Sequence, residues 1–180
     1  NRAGDKPSAL LRGGFDFGLS LPLAHSSLWS RSSAGIATGD DDDPVANFYF
    51  GGFGNNYVDN GNVKRYREAG SLPGFEIDEV DGQRYFKQTM EWTLLSVIFE
   101  SVGTPVLHVT WARPALFASA LWARPVTDTG TRKVGSVGGQ VDLRISTLYW
   151  YEMMLSVGYA QGYEHSRRAG SEWMVSLKIL

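Results

Sequence analysis

The chain has 180 residues, of which 43% are apolar, and a formal net charge of −2, the proportions of a folding domain rather than a disordered one. Apolar stretches such as LLSVIF at 94–99, broken at Ser96, fall far short of the roughly 20 residues of a membrane-spanning helix, and the scattered basic residues leave no stripe for nucleic acid. The absence of cysteine excludes a disulfide framework, a thiolate metal site and a cysteine nucleophile.

Aromatic residues make up 13%, with six Trp, and there are 21 Gly, a combination that suits twisted strands with interfacial aromatic belts. The chain opens NRAGDKPSALL, with neither an initiator Met nor a charged-then-apolar targeting segment. A removed signal, or a start internal to a longer protein, is the expectation.

Period-2 alternation dominates and sustained helical periodicity is missing. In chain order, Phe15, Phe17, Leu19, Leu21 and Leu23 alternate with Arg12, Asp16 and Ser20, predicting a first strand, and residues 27–38 predict a second, less regular one. A connection over 39–83 follows, too long for an ordinary turn. Its aromatic run at 45–53 reads as loop, because Phe48, Tyr49 and Phe50 do not alternate and Gly51 and Gly52 would interrupt a ladder. The next strand, 84–98, sets Phe86, Met90, Trp92 and Leu94 against Lys87, Thr89 and Glu91, with a short turn expected at 100–104. Residues 106–122 predict a strand in which Leu107, Val109 and Trp111 oppose His108, bent at Pro114, which cannot donate to the ladder. A long loop at 123–135 precedes Val137, Val141, Leu143, Ile145 and Tyr149, which face away from Gln140, Asp142, Arg144 and Ser146. After a minimal turn near Trp150, Tyr151, Met153, Leu155, Val157 and Tyr159 oppose Glu152 and Ser156. A long loop at 161–171 is expected before Trp173, Val175, Leu177 and Ile179, set against Glu172, Ser176 and Lys178.

Seven strands result, most too long for a soluble sandwich: at about 3.3 Å per residue a 13-residue strand spans about 43 Å. Short turns alternating with long loops form the outer-membrane pattern. Arg12, Lys87, Arg144 and Lys178 all fall on the polar phase, which avoids the roughly 2–4 kcal/mol cost of a cation on a lipid face at mid-bilayer. The phase places Phe15, Phe17, Val141, Leu143, Ile145, Leu155, Val157, Val175 and Leu177 toward lipid. It places Asp16, Lys87, Glu91, Gln140, Asp142 and Arg144 toward the interior.

Several local clusters admit sharper chemistry but are read more simply. The acidic run 40–43 lacks the spaced ligands and Gly of a calcium loop and reads as solvated. His108 with Thr110, or His25 with Ser27, could form a base and nucleophile, but neither has a third orienting group. His165, Arg167 and Arg168 suit exposure or contact with anionic lipopolysaccharide, and GGFGNN lacks the Lys and Ser/Thr of a phosphate loop. No catalytic residue, metal site or cofactor is assigned.

Phe48, Tyr49, Phe50, Gly51 and Gly52, after a strand ending in a Gly/Asp-rich turn, resemble the bacterial surface-antigen family of outer-membrane barrels, the BamA and TamA assembly-factor type. QTMEWTL at 88–94 with its inward Glu91, RPALFASALW at 113–122, and GGQVDLRIS followed by LSVGYAQG within 138–162 are similar to the family's successive strands, so the resemblance runs from about 14 to 180. It implies that the loop folds back into the lumen through an aromatic-Gly-Gly element and a V-R-G-[FY] motif. The nearest match to that motif, Leu72-Pro73-Gly74-Phe75, has Pro where the family has Arg, with Arg65 and Arg67 nearby. The terminal strand ends its apolar phase at Ile179 rather than on an aromatic.

The fold expected is therefore an all-β, antiparallel transmembrane β-barrel, with residues 1–180 forming the C-terminal part of a larger barrel of about 16 strands. An extracellular loop at about 39–83 should fold partly into the lumen, with Gly74 near its tip and Phe48 or Phe50 against the wall. The implied function is that of a non-enzymatic outer-membrane module for insertion or translocation of proteins. Its implied partners are outer-membrane lipid and lipopolysaccharide, client outer-membrane polypeptides and accessory envelope proteins, and not nucleic acid. The rival expectation is a small closed eight-stranded barrel, either a lipid- or peptide-acting hydrolase or a passive structural or adhesive wall.

Overall fold

A computed structural model describes residues 9–23, 25–39, 47–54, 64–104, 106–124, 130–147 and 151–179. The acidic run 40–43, Tyr149, Trp150 and Leu180 lie outside these described residues.

The chain is all-β. Its strands are β1 (Ala9–Ser20), β2 (Ser27–Thr38), β3 (Phe48–Phe50), β4 (Val80–Gly82), β5 (Arg84–Thr93), β6 (Val97–Gly103), β7 (Leu107–Arg124), β8 (Arg132–Thr147), β9 (Tyr151–Glu164) and β10 (Arg167–Ile179). The main sheet is antiparallel, in the order β1-β2-β5-β7-β8-β9-β10, with β6 beside β7. No described helix is long and apolar enough to cross a membrane. The seven strands read from the sequence are the seven of the main path. The sheet is open, with β1 and β10 as its two edges, so the closed eight-stranded ring does not form. With seven strands on an antiparallel path, those two edges run in the same direction.

The aromatic run needs correcting. Phe48–Phe50 is a strand, but it pairs with Val80–Gly82 in a separate two-stranded ribbon. The ribbon hands Phe48 and Phe50 to the core while Tyr49 stays exposed. Alternation over three residues was too short to register as a pattern.

Pro114 acts across the ladder rather than on its own strand. Strand β7 runs unbroken through it, and its pairing with Val141 on β8 is regular. The Pro114 carbonyl accepts from Leu94 N–H at 3.0 Å, so the missing N–H faces the same neighbour. There β5 stops at Thr93 and β6 starts at Val97, three residues opposing Arg113 and Pro114. The predicted bend is thus a bulge in the neighbouring strand. The register shift within β7 lies between Val109 and Trp111, and it moves Trp111 onto the face of His108 instead of that of Leu107 and Val109. The turn placed at 100–104 belongs largely to β6, which continues to Gly103.

The loop at 161–171 is also overturned. Strand β9 extends to Glu164 and β10 begins at Arg167, leaving a two-residue turn at His165 and Ser166. Both residues have positive φ, 49° and 64°, as a hairpin turn matched to strand twist requires. That turn normally carries Asn or Gly, and their absence hid it. The 123–135 loop shrinks likewise to the residues between Arg124 and Arg132.

The two faces of the sheet differ sharply. Phe15, Phe17, Val141, Val175 and Leu177 are exposed on one, with Val175 at 72%, while Leu143, Ile145, Leu155 and Val157 share that face half-buried. On the other face, β3, β4 and residues 64–79 cover the centre. Their apolar side chains form two clusters: Phe48, Phe50, Leu72, Phe75 and Val80 against Tyr85, Leu121 and Val134, and Phe53 and Tyr66 against Phe117, Ala160 and Met174.

Candidate functional site

The site is the junction between the inserted segment and the covered face. Lys87, Glu91, Gln140 and Asp142 all lie buried on that face, as the period-2 phase expects. A buried carboxylate is tolerated only when paired and hydrogen-bonded. Glu91, fully buried, meets this condition through the segment. Arg67 donates Nε to Oε2 at 2.8 Å and Nη2 to Oε1 at 2.5 Å, and Lys64 Nζ and Thr93 Oγ1 donate to Oε1 at 3.1 and 2.7 Å. Arg31 stands 3.7 Å from Oε2. The forked Arg contact fixes direction as well as charge. Burial lowers the pKa of the Lys64 ammonium, against the upward pull of Glu91. It also raises that of the neighbouring Tyr66 hydroxyl.

Lys87 makes a second attachment of a different kind. Its ammonium donates to the carbonyls of Glu68 at 3.1 Å, Ala69 at 3.4 Å and Ser71, and to Ser71 Oγ at 3.2 Å. These carbonyls follow the 3₁₀ turn Arg65–Arg67, where backbone acceptors lack intrahelical donors. Between the two attachments the Tyr66 ring stacks on Phe117, centroids 4.2 Å apart and planes 16° apart.

The third attachment is the tip. Gly74, with φ of 92°, donates its N–H to Glu172 Oε2 at 3.1 Å, and Phe53 N–H reaches Oε1 at 3.2 Å. One β10 carboxylate thus receives an N–H from each of two separate stretches of the folded-back segment. The tip touches strand backbone directly: a Cβ on Gly162 or Gly170 would lie 2.6 Å from the Gly74 carbonyl oxygen, and one on Gly74 would collide with Gly162 N. No other residue type fits this approach. Gly51 and Gly52 are buried where the segment crosses itself, Gly52 N–H donating to the Phe75 carbonyl at 3.0 Å, and Pro73 and Phe75 are buried beside them.

Two of the polar positions separate from this site. Asp16, on edge strand β1, pairs with Arg31 at 2.5 Å while its side chain is 55% exposed. Arg144 lies on the right face but half-exposed, paired with Glu152 near the end of the sheet away from the segment. Gln140 and Ser156 both donate to Asp142 Oδ1, at 2.5 and 2.7 Å. The hydroxyls of the two His pairs have other partners: Thr110 Oγ1 donates to the Arg144 carbonyl at 3.2 Å, and Ser27 Oγ accepts from Trp29 Nε1 at 3.2 Å. Among the described residues no group of His, Asp and Glu is arranged to hold a metal ion.

Sequence reasoning missed Lys64 and Glu172 as partners and mentioned Arg67 only as a neighbour of the altered motif. The available signal was an inward carboxylate, Glu91, that needed a cation the strands alone did not supply. Comparison with known proteins finds no matching family model, no similar curated protein and no similar solved structure.

Proposed function

We propose that the chain is a wall section of a bacterial outer-membrane β-barrel of the surface-antigen, assembly-factor type, with residues 47–54 and 64–83 lining its lumen. The function that follows is assistance in inserting or translocating polypeptides at the outer membrane. The observation that carries this is the opposition of faces: an exposed apolar face on strands of up to 18 residues, backed by a polar face with buried, paired charges. Strands of this length exceed the 9–11 residues a tilted transmembrane strand needs. The parallel direction of the two edges supports a section of a larger barrel, because an all-antiparallel ring closes only when an odd number of strands is added between them. Edges left open in hydrocarbon would cost several kcal/mol per unpaired backbone group. Lipid and lipopolysaccharide are then the partners of the apolar face, and unfolded outer-membrane proteins or accessory envelope proteins those of the edges and loops.

The threefold attachment of the segment also suits a passive structural or adhesive wall. Depleting the protein in its source bacterium and measuring folded outer-membrane proteins separates the two. Falling levels across several clients support assembly; unchanged levels sink it and leave the passive wall. Protease protection of the chain in lipid vesicles tests the membrane placement itself.

A further inference from the structure

The exposed face carries cations at one end only of its central strands. Arg84 on β5 and Arg124 on β7 are direct cross-strand partners, and Lys133 on β8 is the partner of Trp122. All three are exposed, and among the described residues no carboxylate pairs with them. The nearby carboxylates Glu79 and Glu164 are instead engaged by Arg132, at 3.7 and 2.8 Å. Like charges directly opposite across a ladder are destabilising, and an anion between them would reverse the sign of that contribution.

Directly beneath this row, Phe86 and Trp122 meet with ring centroids 5.6 Å apart. Trp122 and Tyr163 flank a cleft of about 610 Å³ with Gly135 in its floor and Lys133, His165 and Ser166 at its rim. A Cβ on Gly135 would meet only the Ser119 carbonyl, at 3.5 Å, so the floor is open because the residue is Gly. Beyond the aromatic row the exposed face becomes apolar through Leu116, Val137 and Val141. Cation, aromatic ring and hydrocarbon surface therefore follow one another along the strands in the order of the parts of an anionic amphiphile.

We propose that this cleft, with Lys133 at its rim and Arg124 and Arg84 at the same end of β7 and of the next strand β5, seats the phosphate headgroup of an anionic membrane lipid whose acyl chains run down the apolar face. The inference rests on the lipid-facing assignment of that face and adds a defined headgroup site to it. A lipid is favoured over a free phosphate because the apolar surface continues directly from the cleft.

The test takes the whole barrel of which this chain is proposed to form a section, purified in phosphocholine micelles, and measures, by native mass spectrometry, retention of phosphatidylglycerol and of phosphatidylcholine with identical chains, and of inorganic phosphate. The wild-type chain should retain phosphatidylglycerol preferentially. The variant R84Q/R124Q/K133Q should lose about fivefold per cation removed, the equivalent of about 1 kcal/mol each. Gly135→Leu, which fills the cleft and keeps every charge, should lose the preference too. Circular dichroism confirms folding, and if Gly135→Leu fails to fold, Tyr163→Ala dismantles the cleft with the same readout. Equal retention of the two lipids by the wild type overturns the site, as does inorganic phosphate held as well as lipid. Loss in the charge variant but not in the cleft variant also overturns it, leaving a diffuse basic rim. Failure to hold detergent or lipid at all would overturn the membrane placement as well, whereas retention of lipid without headgroup preference overturns the site alone.

Discussion

Glu91 and Asp16 occupy the same face of the same sheet, each as an acidic residue in alternating register on its strand, and both approach Arg31, yet the rest of their surroundings differ. Glu91 is fully buried, held by Arg67, Lys64 and Thr93, whereas Asp16 shares Arg31 with solvent on a strand whose every residue is exposed. The sheet alone does not bury a polar side chain; the segment laid over it does. Strand period decides which face a residue takes, and tertiary cover decides what that face costs or contributes. The centre of the covered face is thus a pre-formed polar core, while the β1 edge carries the same pattern without its consequence.

That contrast can be broken most sharply at Glu91. Glu91→Ala leaves the buried Lys64 and the half-buried Arg67 without their anion, and loss of one partner of a buried pair costs about 3–5 kcal/mol. Limited proteolysis should then cut within 64–79 at much lower protease concentration; an unchanged cleavage pattern would show that the segment does not depend on this network. Phe117→Ala removes the platform under Tyr66 and Phe53 and should cost about 3 kcal/mol, read as a lowered denaturant midpoint with segment and sheet still unfolding together. Gly162→Val drives a side chain into the Gly74 carbonyl; overpacking of this kind costs about 1–3 kcal/mol. Its mark is selective, with hydrogen exchange rising at Gly74 and Phe53 and unchanged along β1 and β2. Lys87→Met takes the ammonium away from the Ser71 carbonyl, at about 1–3 kcal/mol for a buried group left unsatisfied, while the Glu68 carbonyl keeps its donors on Ser71. The smallest effect belongs to the edge: Asp16→Asn should change stability by less than about 1 kcal/mol, as exposed pairs do. A loss at Asp16 comparable to that at Glu91 would mean that another element covers β1 in the native protein.

The strands were legible in the sequence because a buried face and an exposed apolar face both impose period 2, and the phases assigned to β1, β5, β8, β9 and β10 follow it. What stayed hidden were features whose cause lies on another strand. The bulge facing Pro114 belongs to residues 94–96 and reflects a missing donor across the ladder, and the shift at Thr110 leaves no trace in composition. In the inserted segment, Phe48, Phe50 and Gly74 were readable from residue type, since free loops need neither aromatic clusters nor close backbone approach. Lys64, Arg67 and Glu172 were not, because charged residues in or beside loops are ordinarily solvated and only the fold brings their partners within reach.

The severed strand also shapes the border of the sheet. Strand β2 ends at Ser27, level with Thr93 and Ala115, but β7 continues from Pro114 back to Leu107 with β6 alone on that side. That border is therefore stepped, by on the order of 25 Å of strand at about 3.3 Å per residue. Ile98 at 77% exposure, Val102 and Leu107 keep the step apolar. At the opposite border β1 and β2 run past the level of Arg84 and Arg124, where β8 has not yet begun, so the two edge strands are nearly equal in length, 12 and 13 residues. The flanks are offset along the strands rather than unequal in height, and a slab of uniform thickness matches such a wall when it tilts. A wall offset in this way would lean in a bilayer, its strands oblique to the membrane normal.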